Sequence, residues 1–354
     1  MTSNILLDLS RKTGVKLNIK QGRVEMTHGA GGRAMQQLIE QLFFPVFNNP
    51  FLSQRQDQAC FAVAAGRMVM TTDCHVVTPL FFPGGDIGSL AVNGTINDIV
   101  MSGAIPLYLS AGFILEEGFP LIDLQKIAHS MAKAAERASV YIITGDTKVV
   151  EKGKCDGVFI TTTGIGCVPE NVSINQQRPQ AGDKIILSGQ IGDHGVAVMS
   201  QRHNLGFETQ VISDSAALHD LVKVMVAIDP AIRCMRDPTR GGVAAVLNEW
   251  AHEYQIGMQI DEAKIPVQNA VRGACELLGL DPLVVANEGK LLAICSSASA
   301  ANVLASMQEH PQGKQAAIIG EVRNDPDCFV RLQTIFGGQR RVDWLVGEQL
   351  PRIC

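Results

Sequence analysis

Four aspartates stand at the ends of apolar segments in the first half of this 354-residue chain: Asp57 in RQDQACFAV, Asp73 in VMTTDC, Asp98 in TINDIV and Asp146 in IITGDTK. One such aspartate is ordinarily a turn residue or a helix cap. Four in a single presumptive domain point to carboxylates converging at strand ends. Converging carboxylates repel one another unless cations neutralise them, and Mg²⁺ favours a few carboxylates together with substrate phosphates. Lys148, two residues beyond Asp146, is placed to balance phosphate charge as a point cation. Upstream, HGAGG sets His28, Gly29, Gly31 and Gly32 before a helical pattern. Such a turn either serves only to bend the chain or lets backbone N–H groups approach phosphate oxygens at a helix N-terminus. It is neither a Walker A loop nor G-x-G-x-x-G, so alone it decides nothing.

The second half carries three polar loops with chemistry-bearing residues. GDHG presents His194, which without a metal-spaced partner histidine reads first as a satisfied loop residue. RDPTRGG presents Asp237 and Arg240, expected to form a local pair. ANEGK sets Glu288 in a tight turn among apolar neighbours, where it is either solvated or a base whose pKa desolvation raises. No G-x-S-x-G elbow is present, so serine nucleophile chemistry finds no support. The sequence ends in PRIC. A thiol at position 354 is either an accident of composition or a reactive group on a flexible arm.

The elements that must position these residues follow from periodicity. Met35, Leu38, Ile39, Leu42 and Phe43 share one helical face. RMVMTTDCHVV reads as a strand ending in a polar knot around Asp73, DIGSLAVNGTINDIVMSGA as a tightly packed helix, and LQKIAHSMAKAAERA as an amphipathic helix capped by Asp123. VYIITGDTKVV predicts a strand running into a loop at Gly145–Lys148, and GVFITTTGIGCV a further strand. PENVSINQQRPQAGD is polar, proline-bounded and aperiodic, and is read as the domain junction. Beyond it, DKIILSGQIGDHGVAVMS and IRCMRDPTRGGVAAVLNEWAHEY repeat a strand, glycine loop and helix plan. DPLVVANEGKLLAIC predicts two short strands around Asn287, Glu288 and Gly289. After GGQRRVDWLVGEQL the chain runs out as a tail. The mixture on both sides of the junction indicates a two-domain α/β or α+β protein.

Composition narrows the function classes. Hydrophobic content of 46% with 18% charged residues suits a well-cored enzyme. Net charge of −5 and the lack of basic runs interleaved with aromatics argue against nucleic acid as a partner. No apolar run approaches the roughly 20 residues that span a bilayer, and the start lacks the apolar core of a secretory leader. Nine cysteines, an odd number with no C-x-x-C pair, argue against a disulfide framework or a zinc ribbon. A reducing compartment, the cytoplasm, is expected.

Taken together, HGAGGRAMQQLI, TTD, PLFFPGGDIGSLAVNGTINDIVMSGAIPLYLSAGFILEEG, ITGDTKVV, GDHG, RDPTRGGVAAVLNE, ANEGKLL and PRIC closely resemble the HypE family of [NiFe]-hydrogenase maturation proteins, from about His28 to Cys354. The resemblance places the chain in the PurM-like superfamily of aminoimidazole ribonucleotide synthetase. It implies an N-terminal half-barrel domain (23–170) that pairs across a homodimer, a C-terminal α/β domain (178–335) and a flexible tail (338–354), with residues 1–22 as an extension. It also implies ATP and Mg²⁺ in the cleft. The family activity would be dehydration of a carbamoyl group on the C-terminal cysteine to a thiocyanate, with the carbamoyltransferase HypF as donor and the HypC–HypD complex as recipient. Carried over by position, Asp57, Asp73, Asp98, Asp146 and Asp237 serve Mg-ATP, the first four as metal ligands. Gly29, Gly31, Gly32, Thr147, Lys148 and Arg240 face the nucleotide. Cys354 is the acceptor, Glu288 the base, and His28 and His194 are lesser catalytic candidates. A selenophosphate synthetase or thiamine-phosphate kinase of the same superfamily, or a non-enzymatic thiol carrier, are the competing readings.

Overall fold

The structure, a computed structural model, describes residues 16–56, 58–62, 66–203, 211–344 and 352–354. Its first domain is built on a four-stranded sheet ordered β1-β4-β2-β3, from β1 (Arg67–His75), β2 (Ile105–Glu116), β3 (Tyr141–Val150) and β4 (Val158–Val168). Neighbours pair antiparallel except β2 with β3, which are parallel. The helices α1 (Ile87–Val100) and α2 (Leu121–Arg137) cover one face. α2 follows its amphipathic pattern, burying Leu121, Leu124, Ile127, Ala128 and Met131. Its N-cap is Pro120; Asp123 lies inside the first turn and pairs with Lys126, so the expected cap is one turn residue out. α1 is buried almost all round. Its small residues fit it between the sheet, α2 and the second domain, and Thr95 hydrogen-bonds Thr162 of β4.

The second domain holds a seven-stranded sheet ordered β11-β10-β7-β9-β5-β8-β6. Its strands are β5 (Lys184–Leu187), β6 (Cys234–Arg236), β7 (Gly257–Asp261), β8 (Leu292–Cys295), β9 (Ala317–Arg323), β10 (Val330–Gln333) and β11 (Gln339–Val342). The alternation of β5 sends Ile185 and Leu187 into one core and Ile186 into another. The first of these cores packs α4 (Gly242–Tyr254) against the sheet. The other is continuous with the first domain through α3 (His219–Ile228) and Ile353. The polar segment 169–183 between the domains has neither helix nor strand.

Three expectations change. β3 runs unbroken through Gly145, Asp146 and Thr147, where a loop was expected. Gly145 is there because the Ala111 carbonyl would lie 2.3 Å from any Cβ, so glycine marks a close strand approach. Around Glu288 only β8 is a strand; Pro282–Val284 is a 3₁₀ turn. The tail begins as strand β11, paired with β10 over Gln339–Val342, and its last three residues are docked on the protein.

Candidate active site

Asn287 gathers the three polar loops of the second domain. Its Oδ1 accepts the Gly192 N–H of GDHG at 2.7 Å, and its Nδ2 donates to the Pro238 carbonyl of RDPTRGG at 3.0 Å. From the first domain, Asn97 of α1 donates to the Glu288 and Ala216 carbonyls and accepts from the Leu218 N–H. Two buried amides therefore lock α1 and the glycine loops together, and Glu288 stands at their meeting point, 3% exposed. Its N–H donates to Asp214 Oδ1 at 3.0 Å, while Asp214 Oδ2 lies 3.1 Å from Lys290 Nζ.

Opposite Glu288 is β1. Asp73 Oδ2 is 3.2 Å from His75 Nε2, and Asp73 Oδ1 accepts the Cys74 N–H. Asp98 accepts from Thr71 at 2.7 Å. A methyl placed on Gly94 would lie 3.3 Å from Asp73 Oδ2 and 3.9 Å from Glu288 Oε2, so these carboxyls face one small gap over α1. Asp237 is near enough to Asp98 and Asp73, and Arg240 near enough to Asp73, Asp98 and Cys354, to shift their pKa values; the expected local Asp237–Arg240 pair does not form among the described contacts.

Cys354 enters this cluster from the chain end, with its thiol close enough to the Glu288 carboxyl for each to shift the other's pKa. Desolvation, with Asp237, Asp214 and Asp73 nearby, raises the Glu288 pKa well above the usual carboxylate range. Its Oε1 has no partner. Asp237 is pushed up to about 7 by desolvation and by Asp98 and Asp73, and Asp98 is raised by desolvation. Asp73 moves the other way: desolvation is outweighed by His75, Arg240 and the Cys74 amide. Desolvation and Glu288 hold the Cys354 thiol well up. Crowded carboxyls with so little positive charge attract a cation, but Asp73, Asp98 and Asp237 form no ready set of three ligands and would hold one only with further oxygen donors, such as phosphates.

The remaining candidates lie elsewhere. Asp73 shares a cross-strand row with Thr162, Ala111 and Gly145; Asp146 shares the next row with Gly112, Thr161 and Cys74. Successive rows face opposite sides of a sheet. Asp146 is therefore on the open face, three strand spacings or roughly 14 Å from the β1 edge. Of the four aspartates expected as metal ligands, Asp57 lies outside the described residues and Asp146 stands apart from Asp73 and Asp98; the described residues of one chain contain no group of three that could hold a metal. Thr147 and Lys148 share the β3 edge, Lys148 pairing with Asp146 at 3.8 Å in solvent. His28 stands in the 3₁₀ turn Met26–Gly29. It closes a cap by accepting the Glu25 N–H at 2.9 Å, and burial lowers its pKa. Gly29 packs against Val149 of β3, whereas Gly31 and Gly32 have open space where a side chain would be, leaving their backbone free to approach a phosphate. A cavity of about 1380 Å³ beside this edge is lined by Lys16, Glu40, Phe44, Arg55, Thr144 and Asp146.

His75, Asp214 and Lys290 complete the site without having been singled out in the sequence. Asp214 lies in an aperiodic polar loop that carries no pattern signal; Lys290, adjoining ANEG, was within reach of motif reading.

Comparison with known proteins agrees with this architecture. Residues 55–168 match the N-terminal domain, and 180–333 the C-terminal domain, of AIR synthase related proteins. The chain is 62% identical over 339 residues to the carbamoyl dehydratase HypE of Cupriavidus necator, covering 96% of this chain and 97% of that protein. A crystal structure of the hydrogenase maturation protein HypE in complex with ATP superposes with a TM-score of 0.89 at 45% identity, over 93% of this chain and 99% of that one. HypE in a HypE–HypF complex gives 0.77 at 47% identity, over 87% and 99%. A chain with this fold and this degree of identity belongs to the HypE family of carbamoyl dehydratases, ATP-dependent enzymes of hydrogenase maturation built from PurM-like domains.

Proposed function

We propose that the chain converts a carbamoyl group on its own Cys354 sulfur into a thiocyanate, using ATP and Mg²⁺, and so supplies the cyanide ligand of the [NiFe]-hydrogenase iron. The observation that carries this reading is the chain end docked through the Val76 and Thr78 amides, which sets the Cys354 thiol beside buried Glu288. Turning S–C(=O)NH₂ into S–C≡N removes one oxygen and two N–H protons, a net loss of water. ATP, when bound, supplies the phosphoryl group that makes the carbamoyl oxygen a leaving group. Cys354 holds the reacting carbon; Glu288 accepts one N–H proton, the oxygen leaves as phosphate, and the second N–H proton leaves with that phosphate. Desolvation first, and then its acidic neighbours, raise the Glu288 pKa; a cation held by Asp73 and Asp237 would bring it back down and make Glu288 a better base-form carboxylate at neutral pH. Arg240 offers a positive charge that acts on Cys354.

The expected nucleotide groups on the β3 edge lie three strands from Asp73 and on the other face of the sheet. We assign those groups and the carboxyl cluster to opposite subunits of a homodimer joined through the open sheet face. The solved HypE–HypF complex supports HypF as a partner; in this reading HypF donates the carbamoyl group and HypC–HypD receives the cyanide. Nine cysteines without a disulfide among them suit the cytoplasm.

Intact-mass spectrometry after incubation with HypF, carbamoyl phosphate and ATP tests the reading. The parent should gain a carbamoyl group and then lose one water from the C-terminal peptide. Cys354→Ala should gain nothing, and Glu288→Gln should stop at the carbamoyl stage. Thiocyanate formed by Glu288→Gln at the parent rate would reduce Glu288 to a turn residue.

A further inference from the structure

All three carbonyls that end the chain have donors. The Thr78 N–H donates to the Arg352 carbonyl and the Val76 N–H to the Cys354 carbonyl, each at 3.2 Å. Residue numbers rise along one segment as they fall along the other, two by two, which is the spacing of an antiparallel strand added to the chain just beyond β1. The Ile353 carbonyl points the other way and accepts from His194 Nε2 at 2.7 Å. Arg202 spans both segments, its Nε donating to the Thr78 carbonyl at 2.7 Å and its Nη2 to the Arg352 carbonyl at 2.6 Å.

The His194 ring is fully buried, and its tautomer follows from its partners. A carbonyl only accepts, so Nε2 carries the hydrogen; Nδ1 then accepts the Ser213 hydroxyl at 2.8 Å. Desolvation lowers the His194 pKa and keeps the ring neutral. His194 thus addresses the main chain of the tail and not its thiol. Side-chain contacts divide unequally. Ile353 is 4% exposed within the core shared by both domains, whereas Arg352 pairs with Asp156 in solvent, 58% exposed.

We propose that His194, Arg202 and the Val76–Thr78 backbone form a peptide-binding site that recognises the last three residues by their main chain and by an apolar penultimate side chain, fixing the register in which Cys354 meets Glu288. Its relevance to catalysis rests on Cys354 being the acceptor. His194 and Arg202 are positioning residues in this scheme, and the ligand class is a C-terminal peptide with an aliphatic residue before the end.

Alkylation of Cys354 by iodoacetamide in the full-length protein tests this without nucleotide, carbamoyl donor or partner. Mass spectrometry of the C-terminal peptide separates Cys354 from the other cysteines. His194→Leu and Ile353→Ala should each speed alkylation roughly tenfold or more, the effect of losing one buried contact. His194→Gln keeps an N–H donor and should restore slow alkylation. Arg352→Ala removes only a surface pair and should stay within about fivefold of the parent. Ile353→Ala sits at the chain end, so it decides even where His194→Leu fails to fold. Equal rates in the parent, Ile353→Ala and His194→Leu would overturn the site; an Arg352→Ala effect as large as that of Ile353→Ala would overturn main-chain recognition. Either result leaves thiocyanate formation standing, while slow alkylation without thiocyanate would fault only the proposed reaction.

Discussion

Asp237 shows how one residue trades stability for charge. The folded protein holds its proton up to about pH 7, whereas an unfolded aspartate releases it near pH 4. Between those values folding takes up a proton, so stability falls as pH rises through the window. Asp237→Asn cannot ionise. We expect it to melt a few degrees above the parent at pH 8 and beside it at pH 4, while binding Mg-ATP more weakly in calorimetry. A melting difference independent of pH would show that the carboxyl is not strained by its neighbours. Glu288 and Cys354 were legible in the sequence because a carboxylate in an apolar turn and a terminal thiol are each conspicuous. His75 and Asp214 were not, because their importance comes from the elements that bring them opposite Asp73 and Glu288.

At the scale of elements, the second-domain loops were legible as glycine loops, but their convergence depends on Asn287 and on one close approach. A Cβ on Gly289 would sit 1.8 Å from the Asp214 carbonyl oxygen, and the nearest obstacles are all backbone. Gly289→Ala must therefore move the Asp214 loop or the Glu288 turn. Overpacking of this kind costs roughly 1–3 kcal/mol. We expect a lower midpoint in denaturant unfolding, together with slower loss of water from the carbamoylated tail. An unfolding midpoint equal to the parent's would mean that the loop yields freely and does not hold Glu288. The strand errors have the same origin. Gly145 and the Glu288 turn carry opposite local signals to their actual roles, since glycine inside β3 serves strand packing and the apolar run before Asn287 is a turn. The short β11 was hidden because pairing with β10, and not hydrophobic alternation, defines it.

At the scale of the whole molecule, the described helices α1 and α2 cover one face of the first-domain sheet, while Phe51 and Phe61 pack on Tyr108 of the other. Met70 is 71% exposed, Ile105 58% and Tyr141 52%, in strands that present them on the same open side as Asp146. An apolar sheet face of this kind marks an association surface. Its two-domain plan was legible because helices and strands alternate on both sides of an aperiodic junction; the face itself was not, since a sequence does not say which side of a strand the helices take. A second copy laid on this face would cover the methionines and bring the β3 edge, with Asp146, Thr147 and Lys148, into a shared assembly. Introducing Met70→Asp would bury an unpaired charge in that interface. We expect the parent to sediment as a dimer and Met70→Asp as a folded monomer at micromolar concentration. Its Cys354 should still alkylate slowly, because the tail site lies wholly within one chain. Its carbamoylated tail should nevertheless keep its water in the presence of ATP, because the β3-edge groups would come from the missing subunit. A monomer that completes the dehydration at the parent rate would refute the shared site and require one chain to bind the nucleotide alone.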